Sequence, residues 1–168
     1  MMSNEIAQGY AREIDEGLRS IINDARQTYA NTDTALLYAA PALEEWSVIE
    51  DLAHVAEFPP YWTKEMLKVV QHPGEPFGRV KSDPDRIAAI ENHARDALDT
   101  TLERIEQARA QTLEMLLTID DDQWEKTGVH STRGEMNLHR IMKEFITDHI
   151  RDHAQQARDA LHAVKSKS

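Results

Sequence analysis

Apolar residues recur every three or four positions along four long stretches of this chain, and nowhere do they alternate with polar ones over the length of a strand. Ile6, Tyr10, Ile14, Leu18, Ile21, Ile22, Ala25 and Tyr29 predict a first helix over residues 5 to about 30. Asn31-Thr32-Asp33 ends or interrupts it, and a less regular link runs through Leu36, Leu37 and Tyr38 to Pro41. Ser47 is a good N-cap for the second helix, with Glu50 completing a capping box and Trp46 placed to staple the start against the core. Val48, Ile49, Leu52, Val55 and Ala56 are its apolar positions. Pro59 and Pro60 predict a kink or break, after which Tyr61, Trp62, Met66, Leu67 and Val70 resume helical spacing. Residues 72–83 are rich in proline and glycine and form the first connector. Ser82 or Asp83 can cap a third helix with Pro84 in its first turn. Its stripe from Ile87 through Leu116 predicts the longest helix, reaching about Ile119 and spanning roughly 50 Å at 1.5 Å per residue. A second connector covers Asp120 to Gly134; the fourth helix starts near Asn137 and is expected to fray over 163–168. The expectation is an all-α, four-helix bundle in a single domain over residues 1–168, with two sizeable connectors.

Charge narrows the partners. Thirty acidic residues against nineteen Lys and Arg give a net charge of −11. That argues against nucleic acid and against an anionic membrane surface, both of which call for a basic face. No apolar run approaches the ~20 residues of a membrane span, and Met1 to Ile6 show no basic-then-apolar leader. The chain has no cysteine, so it can form neither disulfides nor thiolate metal sites, and any thiol chemistry must bring its sulfur in on a small molecule. A cytoplasmic home fits.

The fourth helix carries the chemistry. His149 and His153 are four residues apart, one turn above the other, on the face that also carries Leu138, Met142, Phe145 and Ala157. A buried imidazole costs about 1–3 kcal/mol unless its nitrogens are satisfied. A shared metal ion would satisfy both rings, and so would separate carbonyl or carboxylate partners; the segment alone serves either reading. His54 sits in the second helix among Ala53, Val55, Ala56 and Phe58, where it is a candidate third inward-facing ring.

Trp46-Ser47, then His54, then a tryptophan-bearing acidic connector, then His149 and His153 on the last helix: this pattern resembles the DinB-like superfamily of small four-helix-bundle metalloproteins, over nearly the whole chain to about Leu161. The resemblance implies an up-down-down-up bundle and a divalent metal, usually zinc or nickel, held by one histidine of the second helix and two of the fourth, here His54, His149 and His153. It also implies a small-molecule substrate and pairing as a homodimer. Characterised members include transferases and isomerases that use a low-molecular-weight thiol. Asp148, Asp152 and Glu50 are candidates to fix a ligand's tautomer, at least two of them being expected on a solvated face.

Other motifs fall away. His149-Ile150-Arg151-Asp152-His153 has the spacing of a zinc-peptidase helix but Ile150 where the general-base glutamate belongs. Neither His149 nor His153 has the Glu three residues before it that a di-iron bundle uses. His130, in the second connector, is a possible catalytic residue closing over the pocket; His72, His93 and His162 read as surface residues, His139 as undecided, and the three tryptophans as structural anchors. The functional expectation is a metal-dependent enzyme, foremost a thiol transferase or isomerase. A metal-hydroxide hydrolase, a non-enzymatic metal-binding or stress-response protein, and a metal-free helical interaction module are the alternatives.

Overall fold

A computed structural model of the protein describes residues 3–168. Met1 and Met2, the start of the segment read above for a leader, lie outside them. In chain order the elements are α1 (Glu5–Gln27), α2 (Thr34–Tyr38), α3 (Val48–Gln71), β1 (Pro76–Phe77), α4 (Pro84–Glu91), α5 (Leu98–Leu116), β2 (Thr127–His130), β3 (Gly134–Asn137), α6 (Leu138–Met142), a π-helical segment (Lys143–Thr147) and α7 (Asp148–Ser166). The last three run on as one helix. With α1, α3 and α5 they make the expected up-down-down-up four-helix bundle.

The apolar stripes determine who meets whom. α3 packs most extensively on α5 and also on α7; α1 packs on the same two partners, so α1 and α3 stand across the bundle from each other. Ile14, Leu18 and Ile21 of α1, Leu52 and Phe58 of α3, Ile105 of α5 and Ile146 of the last helix fill the middle and are almost wholly buried. The capping box forms as predicted: Ser47 Oγ accepts from Glu50 N at 3.2 Å, and Glu50 Oε2 accepts from Ser47 N at 2.8 Å. Asp83 caps α4 through Asp85 N and Arg86 N, with Pro84 at the first helical position.

Four departures from the sequence reading have identifiable causes. α3 stays helical through Pro59 and Pro60 instead of breaking. Its buried packing on α5 outweighs a penalty of about 3 kcal/mol per interior proline, and Thr63 Oγ1 donates to the Pro59 carbonyl at 2.8 Å. The long third helix is two helices, because residues 92–97 turn. Tyr38 OH donates to the Asp96 carbonyl at 2.7 Å, and His93 Nδ1 meets Asp96 Oδ2 at 2.7 Å. No glycine or proline marks that break, so a tertiary hydrogen bond makes it. The connectors also contain a small sheet: β1 pairs parallel with β2, and β2 pairs antiparallel with β3, in the register Gly128 opposite Met136 and His130 opposite Gly134. Strands of two to four residues are too short to show alternation. Lastly, α7 remains helical through Ser166, with Val164 buried and Lys167 Nζ donating to the Pro41 carbonyl.

The sheet ties the two connectors into one cover at the end of the bundle where α3 finishes and the last helix begins. Gly128 allows it. A Cβ there would come within 2.7 Å of both Phe77 Cδ1 and Val69 Cγ2, so only glycine lets the strand lie against α3. Among the described residues no helix is long and apolar enough to cross a membrane.

Candidate metal centre

Three histidines from two helices converge. His54 Nε2 lies 3.1 Å from His149 Nε2, and His153 Nε2 lies 3.2 Å from His149 Nε2. One nitrogen from each ring falls within 4.8 Å of the others, and among the described residues no acidic side chain joins the cluster. Tetrahedral bonds of ~2.1 Å separate ligand nitrogens by about 3.4 Å and octahedral ones by about 3.0 Å, so the observed spacing suits a single ion. His54 and His153 are buried and His149 is half-buried.

The protons on these rings are set from behind. His153 Nδ1 lies 2.9 Å from Asp51 Oδ1, and Asp51 is fully buried. The carboxylate accepts, so Nδ1 carries the proton and Nε2 offers its lone pair to the centre. His54 Nδ1 lies 3.3 Å from Glu57 Oε2, close enough for attraction but poorly aligned for a hydrogen bond. Glu57 is held in turn by the Arg79 guanidinium, which lies 3.7 Å above the Tyr61 ring. Lone pairs from His54 and His153 thus point at the same nitrogen of His149, an arrangement with too few protons to satisfy itself and one that a cation completes.

Burial keeps His54 and His149 neutral. It is the main cause lowering His54 to about 4 and His149 to about 3, with the positive charge of Arg86 adding to the effect on both and that of Lys81 on His149. Burial raises the Asp51 carboxyl to about 6, against the pull of His153. Burial also pushes Glu57 up, but the bonds from His54 and Arg79 outweigh it and hold the carboxyl below its ordinary value. Neutral imidazole is the form that binds a metal, so neither His54 nor His149 has to shed an extra proton to do so near pH 7.

The walls are aromatic. Trp46 packs edge-on to His54 with ring centroids 5.2 Å apart and lies nearly parallel to His153 at 5.8 Å; Phe58 meets His149 at 4.5 Å. Trp46 is therefore a wall of the site as well as a staple. Trp62 stacks on Phe145 at 4.1 Å, and Trp124, fully buried, stacks on Tyr10 at 5.0 Å, both in the structural role expected. His139 joins the second of these groups, its Nδ1 3.1 Å from Tyr10 OH.

The π-helical segment ends at Thr147, two residues before the first of the two fourth-helix histidines. It inserts an extra residue into the turn, so Ile146 and Ile150 are buried while Phe145 is only half-buried, a register that α-helical spacing from Leu138 does not give.

Several expected site residues lie elsewhere. His130 is not part of the cluster. Its Nε2–H donates to the Arg79 carbonyl at 3.1 Å and its Nδ1 accepts from Thr132 N at 3.3 Å, so it braces the segment that carries Arg79. Of the three proposed tautomer-fixing acids, Glu50 serves the helix cap, Asp148 pairs with Lys143 and Arg151, and Asp152 is exposed. The acids behind the rings are Asp51 and Glu57. They were legible as Asp51-x-x-His54-x-x-Glu57, one turn to either side of His54 on the same face of α3.

Comparison with known proteins agrees with this architecture. YfiT from Bacillus subtilis, described as a probable metal-dependent hydrolase with an unusual four-helix bundle topology, superposes with a TM-score of 0.76 at 12% identity, covering 98% of this chain and 91% of that one. TT2238, described as a four-helix bundle protein, superposes with a TM-score of 0.63 at 18% identity, covering 91% of this chain and 98% of the other. At these identities the likeness shows the fold. No curated protein sequence matches the chain. The sequence profile of the DinB superfamily matches residues 18–157, a span that starts in α1, takes in His54 and ends just past His153, and the chain belongs to that superfamily.

Proposed function

We propose that the protein is a metal-dependent enzyme that holds a divalent ion, zinc or nickel, on His54, His149 and His153 and transfers a low-molecular-weight thiol to a small electrophile. The observation that carries this reading is a set of three convergent imidazole nitrogens that no fourth His, Asp or Glu joins among the described residues. Structural zinc sites are closed by four protein ligands, whereas catalytic ones keep a position open. That difference favours an enzyme over a purely structural or sensory metal protein.

A divalent ion bound there supplies Lewis acidity, which makes a small thiol or water nucleophilic near neutral pH. The chain does the rest. Asp51 keeps the His153 proton on Nδ1, while Glu57, steadied by Arg79, attracts the corresponding proton of His54. Trp46 and Phe58 keep bulk water from the ligand rings. The thiol is the reading implied by the family, and a chain without cysteine needs its sulfur from a co-substrate. Hydrolysis of a small molecule by water is the second reading, favoured by the description of YfiT. A homodimer in the cytoplasm belongs to the same proposal.

Metal analysis of untagged wild type and of the His54→Ala, His149→Ala and His153→Ala variants tests it. Wild type should carry a full complement of metal and each variant should lose most of it. Metal content and every tested activity unchanged in His54→Ala would overturn the proposal. Parallel assays with biological thiols plus an electrophile, and with activated esters alone, then separate transfer from hydrolysis.

A further inference from the structure

Positive charge gathers beside this centre, and part of it has no ion-pair partner among the described residues. Arg79, Lys81 and Arg86 come from one short stretch, the end of the first connector and the first turn of α4. Arg79 is neutralised by Glu57. Arg86 is not. It is half-buried, its guanidinium lies 5.4 Å above the Trp46 ring, and its one side-chain bond goes to the Lys81 carbonyl at 2.9 Å. Trp46 in turn rests on His54 and His153, so a single indole separates this guanidinium from two of the three rings.

The acids that act on Arg86, Glu57 and Asp83, do so from beyond ion-pair distance. Asp83 spends Oδ1 on the cap of α4, and Glu57 is occupied by Arg79 and His54. No carboxylate lies within ion-pair distance of Arg86 or Lys81 among the described residues, although acidic residues outnumber basic ones thirty to nineteen. A guanidinium held near an aromatic face with donors to spare is suited to a two-point grip on a carboxylate or phosphate, and a cationic patch on an acidic protein concentrates anions there.

We infer that the substrate or co-substrate of this centre carries a carboxylate or similar anionic group, and that Arg86, assisted by Lys81, grips it while the reacting end of the molecule faces His54, His149 and His153. The inference rests on the metal reading above and adds the class of molecule that the site selects. Trp46 gives the guanidinium a fixed platform. Lys81, exposed, supplies long-range attraction.

The test uses Co2+-loaded protein and a matched pair of thiols, 3-mercaptopropionate and its neutral amide, titrated against the visible absorption of the bound cobalt. Wild type should bind the carboxylate about tenfold tighter than the amide, the worth of one charge-assisted hydrogen-bonded pair. In R86Q that preference should collapse to about twofold or less, with Co2+ uptake and affinity for the amide unchanged. R86K keeps the charge without the fork and should lose several-fold of the preference while binding Co2+ normally, so a folding defect in R86Q leaves the question decidable. No preference in wild type, or full preference in R86Q or R86K, overturns the inference and leaves the metal reading standing. Failure of wild type to bind Co2+ at all overturns the metal reading, and the inference with it.

Discussion

Acidifying the metal-free protein from pH 7 to pH 5 protonates histidines in the unfolded chain but not His54 and His149 at the centre. His54 and His149 are lowered, chiefly by burial, to about 4 and about 3 from an ordinary 6.5. Because the folded value lies below the unfolded one, the stability each ring contributes is complete above about 6.5 and is lost as pH falls toward its folded value. Linkage gives a loss of roughly 2 kcal/mol per ring between pH 7 and pH 5. Asp51 works in the opposite direction. Its carboxyl is raised by burial to about 6 from 3.8, so its contribution is complete below the lower value and lost as pH rises through the higher. Acidification to pH 5 therefore returns roughly 1 kcal/mol. The net expected loss is roughly 2–3 kcal/mol, a large part of the stability of an ordinary domain. Urea unfolding in the presence of a chelator, followed by tryptophan fluorescence at both pH values, measures it. In His149→Gln one of the two buried rings is gone and the loss should shrink to about 1 kcal/mol or less. Equal stability at the two pH values, or an undiminished loss in the variant, would refute the claim that these rings are held neutral by burial.

Two further outcomes are expected. Asp51→Asn and Glu57→Gln keep the shape of the side chain but remove the charge behind His153 and His54, and each should weaken metal binding by about 10–100-fold in a chelator competition while the helical signal stays intact; unchanged affinity would mean the two acids are bystanders. Gly128→Ala should lower the unfolding midpoint by the equivalent of about 1–3 kcal/mol, because its Cβ meets Phe77 and Val69 at 2.7 Å, whereas an unchanged midpoint would show that the sheet is free to move off α3.

How much of this was legible depended on range. The spacing of apolar residues in α1, α3 and α7, the Ser47–Glu50 capping box and the Asp83-Pro84 start of α4 are local patterns, and the fold follows them closely. The two fourth-helix histidines were visible for the same reason, since four residues on one helix always share a face. His54 became a partner for them only through the resemblance to a family, because nothing in residues 46–58 says which segment they will face. The candidates named to stand behind the rings, Glu50, Asp148 and Asp152, of which at least two were expected on a solvated face, did not include Asp51 and Glu57, although these stood at readable spacing from His54.

Position along the chain thus determined the helices, their apolar faces and the pairing of His149 with His153, all of which depend on neighbours within one or two turns. Only the packed structure decided where the third helix breaks, because Tyr38 reaches the Asp96 carbonyl across fifty-eight residues. It also decided that α3 passes helical through two prolines, that a π-helical turn sets the fourth-helix register, and that Arg86 lies over Trp46 without an ion-pair partner. The physical reason is the same in each case. A residue's helical preference is worth tenths of a kcal/mol to about one, or about 3 for an interior proline, and buried hydrogen bonds and close-packed contacts formed at long range together are large enough to override it.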